Sequence, residues 1–284
     1  MNNTILVGID FSECSLNALD HAVSIAEKSN SNVVMVWVNK LANDRDIVSK
    51  DNDLIVFGAK RHFEDILSKY VPIIGENKIS YLIKEGRVYE AMQQVCEEID
   101  PMLVVIGTHG ISGFSARWLG SNAYRMSLLI DVPIITIRGG VDINKTISNI
   151  LLPIDSTSET RQKLPLTALL AKYFDATIYV LGVYISDFKS VNSRVNSYVK
   201  QVVNYLKSNN IKYVTDELHT TDVAEELIMY AGKINANLIS IMDEQEKSAM
   251  NFFSGSFSLQ LVTKSPYPIL ISHVKNVYSS ISKN

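Results

Sequence analysis

The chain repeats one order of strands and helices twice, and this duplication limits its possible folds more than any other feature. Shifting the second half back by 145 residues places Asp155 on Asp10, and a shift of 135 places residues 255–256 on residues 120–121. Such internal similarity indicates two copies of one structural unit. With 284 residues, the chain is long enough for each copy to bury its own core.

Both copies alternate short runs of branched apolar residues with longer segments whose apolar residues recur at the helical period. The predicted strands of the first copy are 4–9, 33–38, 79–83, 102–106 and 133–137. Those of the second copy are 149–154, 177–183, 212–217, 237–242 and 268–272. This alternation predicts an α/β fold in which each copy has a mainly parallel five-stranded sheet with helices on both faces.

The junction between the copies is predicted in the short polar segment 139–145, which gives domains at residues 1–140 and 146–284. The net charge of −3 argues against a nucleic-acid partner or an anionic membrane surface. No apolar run approaches the roughly 18 residues needed to cross a bilayer. The first four residues carry none of the basic charge of a signal peptide, so none is expected.

The two cysteines, Cys14 and Cys96, have no spacing typical of metal or redox sites. Such residues are usually buried small hydrophobic groups in a reducing compartment. We therefore expect a cytoplasmic protein with two buried free thiols.

The most distinctive local motif follows the predicted strand 102–106. The chain reads Gly107-Thr-His-Gly110, nine further residues, and then Gly120-Ser121 at the predicted start of a helix. Glycines permit positive φ angles and let an anion approach main-chain N–H groups, and a helix N-terminus also attracts negative charge. The motif is neither a P-loop nor a Rossmann fingerprint, and glycines also occur at strand–helix turns without a ligand. It predicts a phosphate site.

This glycine pattern resembles the nucleotide-binding signature of the universal stress proteins. Residues 5–12, which read Ile-Leu-Val-Gly-Ile-Asp-Phe-Ser, are similar to the first strand and acidic turn of that family. The resemblance implies two tandem flavodoxin-like, or adenine nucleotide alpha hydrolase-like, domains. It also implies a stress-response protein with ATP, ADP or AMP as a regulatory ligand, and Mg²⁺ as a candidate companion ion.

In that family the acidic turn faces the nucleoside, the main chain of the second strand meets the adenine, and the glycine loop holds the phosphates. Carried over to this sequence, the resemblance implies a nucleotide site made of Asp10, Ser12, Val38, Gly107, Gly110, Gly120 and Ser121. Asp10 is equally compatible with an Asx turn or an N-cap, and Val38 with a core position. His109 and Arg117, near the same loop, fit solvated positions at least as well as ligand contacts.

The second copy lacks the glycine loop. Met242 and Gln245 stand where the shift places the first two glycines, and acidic residues at 243, 244 and 246 would repel a triphosphate. We therefore expect one nucleotide site per chain. The second copy then supports the first or has a different ligand.

The sequence has no recognisable catalytic arrangement. Its five histidines lack metal-ligand spacing, and neither a Ser-His-Asp order nor a nucleophile elbow is present. We expect a binding protein with at most slow ATP hydrolysis rather than a dedicated ATPase. The alternative is a non-catalytic interaction protein or a carrier of a small apolar ligand. In that case the altered second copy would have an apolar pocket lined by Tyr198, Phe252, Phe253 and Phe257, although aromatic residues are more often ordinary core residues.

The resemblance also bears on assembly, because single-domain universal stress proteins pair through their last strands. Strands 133–137 and 268–272 would then pair within one chain and form a pseudo-dimer. Association of two chains as a homodimer and the identity of a protein partner are left open.

Overall fold

Parallel strand pairing organises both halves of the chain. A computed structural model describes residues 2–39, 49–108, 121–139, 145–243 and 257–273. The chain divides into two units, Met1–Lys145 and Thr146–Asn284. The strand pairs described within each unit are all parallel, so the predicted α/β class is confirmed. Within the described ranges, every helix is too short or too polar to span a bilayer.

The first unit follows the predicted order. Its strands are β1 (Asn2–Gly8), β2 (Asn32–Asn39), β3 (Ile79–Glu85), β4 (Pro101–Gly107) and β5 (Ile134–Ile137). Its helices are α1 (Glu13–Ser29), α2 (Ser49–Ile74), α3 (Val88–Ile99) and α4 (Ser121–Leu129). The strands lie in the order β3-β2-β1-β4-β5. The order changes direction between β1 and β4, and such a switch point opens a crevice at the carboxyl ends of the strands.

The second unit repeats this arrangement. Its strands are β6 (Asn149–Ile154), β7 (Thr177–Tyr184), β8 (Tyr213–His219), β9 (Leu238–Met242) and β10 (Ile269–Ser272). Its helices are α5 (Leu164–Phe174), α6 (Lys189–Ser208), α7 (Val223–Lys233) and α8 (Phe257–Lys264). The order β8-β7-β6-β9-β10 is that of the first unit. All ten predicted strands are present, with ends that differ from the prediction by at most two residues.

Apolar side chains bury both faces of the first sheet. On one face, α3 and α4 enclose residues of four neighbouring strands, and the most buried of this set are Leu6, Met92, Val95, Val104 and Ile134. On the other face, Phe63 of α2 is fully buried and stacks on Tyr81 of β3, with ring centroids 4.3 Å apart. The sheet is therefore covered on both sides, as parallel sheets require.

Short polar residues end several helices. Asn30 after α1, Asp100 after α3 and Asp175 after α5 all adopt the left-handed conformation that terminates a helix. Pro101 follows Asp100 and begins β4, and its fixed φ and missing N–H prevent α3 from continuing.

We expect Phe63→Ala to lower the free energy of unfolding of the first unit by about 3–5 kcal/mol, because it leaves a large cavity under β3. Phe57→Ala is the matched control, since Phe57 lies on the same helix and is 61% exposed. Both tryptophans, Trp37 and Trp118, belong to the first half, so urea denaturation followed by tryptophan fluorescence reports this unit. Equal midpoints for the two variants would contradict the assigned packing.

Candidate functional site

The turn after β1 is fixed by local hydrogen bonds. The backbone N–H of Ser12 donates to Asp10 Oδ1 at 3.1 Å, and Ser12 Oγ donates to the same oxygen at 2.5 Å. The N–H of Asp10 donates in turn to Ser15 Oγ at 3.3 Å. Phe11 lies inside this turn with a φ of 62°, a conformation that costs energy for a residue with a Cβ. The Asx turn offsets this cost and fixes the direction of the Asp10 carboxylate.

Ser12, rather than Asp10, caps the helix that follows. Its Oγ accepts a hydrogen bond from the N–H of Ser15 at 3.2 Å, which is the N-cap geometry of α1. Of the two local roles considered for Asp10, the structure therefore assigns the Asx turn. Among the described residues, every hydrogen bond to the Asp10 carboxylate goes to Oδ1, so Oδ2 has no such partner. The carboxylate is half-buried and keeps one oxygen for another group.

Gly107 is needed for close packing and not for an unusual backbone conformation. Within the described ranges, positive φ angles at glycine occur at Gly75 and Gly86, so Gly107 does not adopt the positive φ that a glycine permits. A Cβ at position 107 would instead lie 2.7 Å from Cys14 Sγ and 3.1 Å from the Cys14 carbonyl atoms. The first turn of α1 therefore packs directly against the end of β4, and only glycine leaves room for it.

Parallel pairing brings the predicted residues of three strands to one edge. The N–H of Ile9 donates to the carbonyl of Val36 at 2.9 Å, so Asp10 follows directly at the end of the β1–β2 pair. On the other side of β1, Val7 pairs with Val105, two residues before Gly107. The acidic turn and the root of the glycine loop thus lie at the ends of neighbouring strands.

Val38 is a core residue. Its side chain is 7% exposed and packs in the core that α3 and α4 cover. Its backbone lies near the carboxyl end of β2, where it pairs with Lys84 of β3. Any contact of Val38 with a ligand is therefore restricted to the main chain.

Several predicted positions lie outside the described residues. They are His109, Gly110, Arg117 and Gly120 in the first half, and Gln245, Phe252 and Phe253 in the second. Ser121 is the first residue of α4, which agrees with a helix that begins at the Gly-Ser pair. In the second half Tyr198 is half-buried on α6, and the guanidinium carbon of Arg161 lies 4.1 Å from its ring centroid.

The second unit repeats the three hydrogen bonds of Asp10, although Thr157 makes no side-chain cap hydrogen bond like that of Ser12. Asp155 Oδ1 accepts from the N–H of Thr157 at 2.7 Å and from Thr157 Oγ1 at 2.5 Å. The N–H of Asp155 donates to Thr160 Oγ1 at 3.2 Å. These residues align with Asp10, Ser12 and Ser15. The third member of each set, Ser15 or Thr160, is not among the residues predicted from the sequence. Its signal in the sequence is a hydroxyl residue five positions after the aspartate in both copies.

At the end of β7 the second unit has an aromatic residue of its own. The Tyr184 ring lies 3.1 Å from where a Cβ of Gly182 would be, and it stacks on His219 with centroids 4.6 Å apart. Tyr184 also donates to Asn196 Oδ1 at 2.5 Å, and its burial together with the charge of Glu217 raises its pKa. The aligned positions in the first unit are Trp37 and Asn39. The second unit therefore has a glycine where the first has Trp37. The aromatic ring at this strand end comes instead from Tyr184, two residues later.

The cysteines are buried, as the sequence predicts. Cys14 is 6% exposed and its Sγ donates to the carbonyl of Ile137 at 3.4 Å. Burial in the core raises the pKa of Cys96 to about 12, so its thiol stays protonated at neutral pH. Across the described part of the chain, no three His, Cys, Asp or Glu side chains converge as a metal site would need.

Comparison with known proteins matches this architecture to one family. Residues 1–138 match the family model described as "Universal stress protein family". The universal stress protein YxiE of Bacillus subtilis (strain 168) is 28% identical over 152 residues, which are 49% of this chain and all of YxiE. The first half of the chain is a universal stress protein domain.

Solved structures extend the likeness in fold to both halves of the chain. A universal stress protein from Archaeoglobus fulgidus DSM 4304 has a TM-score of 0.78 at 16% identity, covering 97% of this chain and 98% of that one. A functionally unknown protein from Pseudomonas aeruginosa PAO1 has a TM-score of 0.66 at 13% identity, covering 99% and 95%. The tandem architecture is thus one that other proteins share, while the match to the family itself lies in the half that contains Asp10 and Gly107.

We expect Gly107→Ala to destabilise the first unit by about 1–3 kcal/mol, because the new methyl group overlaps Cys14 backbone atoms that cannot move freely. Gly8→Ala, at the end of neighbouring β1, is the matched control, since its Cβ would lie 3.4 Å from Ile106 in ordinary contact. Urea midpoints by tryptophan fluorescence measure both. A Gly107→Ala variant as stable as Gly8→Ala would rule out the close packing.

Proposed function

We propose that the first unit binds one adenine nucleotide, ATP, ADP or AMP, as a regulatory ligand of a stress-response protein. The observation that carries this proposal is the juxtaposition of Asp10 and Gly107 at the switch point of the sheet. Both residues match the motifs of the universal stress proteins, and both lie in the part of the chain that the family model covers. In open α/β sheets this crevice is the usual ligand position.

The geometry of the acidic turn suits a nucleoside. Because Asp10 Oδ1 is committed to Ser12, the carboxylate can turn only Oδ2 toward a ligand. Ribose hydroxyl groups can donate hydrogen bonds to a carboxylate oxygen whose direction is fixed. The backbone of Val38, two strands from Gly107, would meet the edge of the adenine. The main-chain N–H groups of residues 107–121 and the N-terminus of α4 would hold the phosphates.

Regulation by binding is favoured over catalysis. Hydrolysis of ATP needs a metal clamp and a positioned water, and Asp10 is the acid that this crevice offers. We infer at most slow turnover, with Mg²⁺ as the candidate ion beside the phosphates. The two buried thiols suit a reducing compartment, which supports a cytoplasmic location.

The apolar-carrier alternative has less support. Tyr198 was one of four aromatic residues considered as its lining, and its ring packs under the Arg161 guanidinium instead. A cation on the ring face makes this position polar. Nucleotide binding by the first unit is therefore the function we adopt.

We expect ATP to raise the melting temperature of the protein, by a stabilisation of about 2.7 kcal/mol at a hundredfold excess over the dissociation constant. Gly110→Val should abolish this shift and leave the fold intact, because the isopropyl group would fill the position of the phosphate. Gly255→Val, in the degenerate loop of the second half, should leave both the shift and the stoichiometry of one unchanged. Calorimetry that finds no site or two sites in the unmodified chain would refute the proposal.

We expect Asp10→Asn to weaken ATP binding about tenfold or more, because an amide NH2 group, which is a donor, replaces the charged acceptor Oδ2 proposed for the ribose hydroxyls. Asparagine keeps the acceptor for Ser12, so the turn and the melting temperature without nucleotide should change little. Asp155→Asn makes the same change in the aligned turn of the second unit. Its ATP affinity should equal that of the unmodified chain by calorimetry, and equal losses in both variants would count against the site.

A further inference from the structure

The two units differ most clearly where the fourth strand of each sheet passes into the next loop. In the first unit the N–H of Thr108 donates to Ile137 at 2.9 Å, and in the second the N–H of Asp243 donates to Ser272 at 2.8 Å. The two residues therefore occupy the same position in the fold. A carboxylate in the second unit replaces a hydroxyl in the first.

The Asp243 carboxylate reaches across to the helix that follows. Ser258 Oγ, in the first turn of α8, donates to Asp243 Oδ1 at 3.0 Å. The residue aligned with Ser258 in α4 is Ala123, whose methyl side chain cannot make this bond. The pair Asp243–Ser258 is thus a link that the first unit does not have at these positions.

His273 completes the link from the neighbouring strand. Its Nδ1 lies 3.6 Å from Asp243 Oδ2, and the two side chains are 4% and 8% exposed. His273 Nε2 is buried and has no hydrogen-bond partner among the described residues. Within that part of the chain, the imidazole ring therefore makes its polar contact with Asp243 through Nδ1. A buried carboxylate is costly unless such groups surround it, and the N-terminal end of α8 adds a favourable dipole.

We propose that this cluster is a built-in substitute for a ligand. The Asp243 carboxylate, held by Ser258 and His273, ties the end of β9 to the first turn of α8 without nucleotide. The aligned elements of the first unit are the end of β4 and the start of α4. The proposed nucleotide phosphates would bind between them. The second unit thus uses its own carboxylate at the position in the fold where the first unit would bind a phosphate. The tie itself does not depend on nucleotide binding, whereas the contrast with α4 rests on the proposed function.

Hydrogen exchange of the full chain, read by mass spectrometry on peptides from α8 and α4, tests this tie. Ser258→Ala removes the donor, and Asp243→Asn removes the charge with little change of shape. In both variants we expect the α8 amides to exchange about fivefold faster or more, as for the loss of one buried hydrogen bond. Ser240→Ala is the control, because it removes another buried hydroxyl of the second unit, bonded to Thr167 at 2.7 Å, without touching the junction.

Addition of ATP to the unmodified chain separates the two proposals. Slower exchange in α4 with no change in α8 supports both. If ATP leaves α4 unchanged while Ser258→Ala still loosens α8, the tie stands and the nucleotide site of the first unit is refuted. If ATP slows exchange in α8, or if neither variant exchanges faster there than Ser240→Ala does, the tie is overturned.

Discussion

Parallel pairing is the constraint on which the rest of this structure depends. Parallel strands are joined by crossovers, so every turn that follows a strand lies at the same edge of the sheet. The end of β1 and the end of β4 are about a hundred residues apart in sequence, yet they are neighbours in space because both strands pair directly. Asp10 and Gly107 therefore meet at one crevice. Neither residue would indicate a binding site in a fold that did not bring these strand ends together.

Short-range hydrogen bonds fix the conformation of the turn that lies at this crevice. One carboxylate oxygen, two serine hydroxyls and two backbone N–H groups fix the turn after β1, and this arrangement holds Phe11 in its left-handed conformation. The threonine-based turn at Asp155 repeats the same bonds. Because these contacts are local, they survived duplication even where the surrounding residues changed.

The units have diverged where contacts are not local. At the end of the second strand, Trp37 in one unit corresponds to Gly182 in the other, and the Tyr184 ring covers that glycine. At the end of the fourth strand, the glycine that admits Cys14 is replaced by Met242, and a buried carboxylate follows it. One scaffold has thus acquired a crevice with an available carboxylate oxygen in one copy and a closed polar cluster in the other.

Sequence alone determined the duplication, the ten strands, the α/β class, the burial of both cysteines, and Asp10 and Ser12 of the acidic turn. These features follow from periodicity, from proline and glycine punctuation, and from hydrogen bonds between residues a few positions apart. Tertiary structure decided what is long-range. It showed that Gly107 is a glycine because Cys14 packs against it, and that Asp243 faces Ser258 and His273. Steric exclusion and side-chain pairing between distant segments leave no local pattern, because they depend on which strands become neighbours.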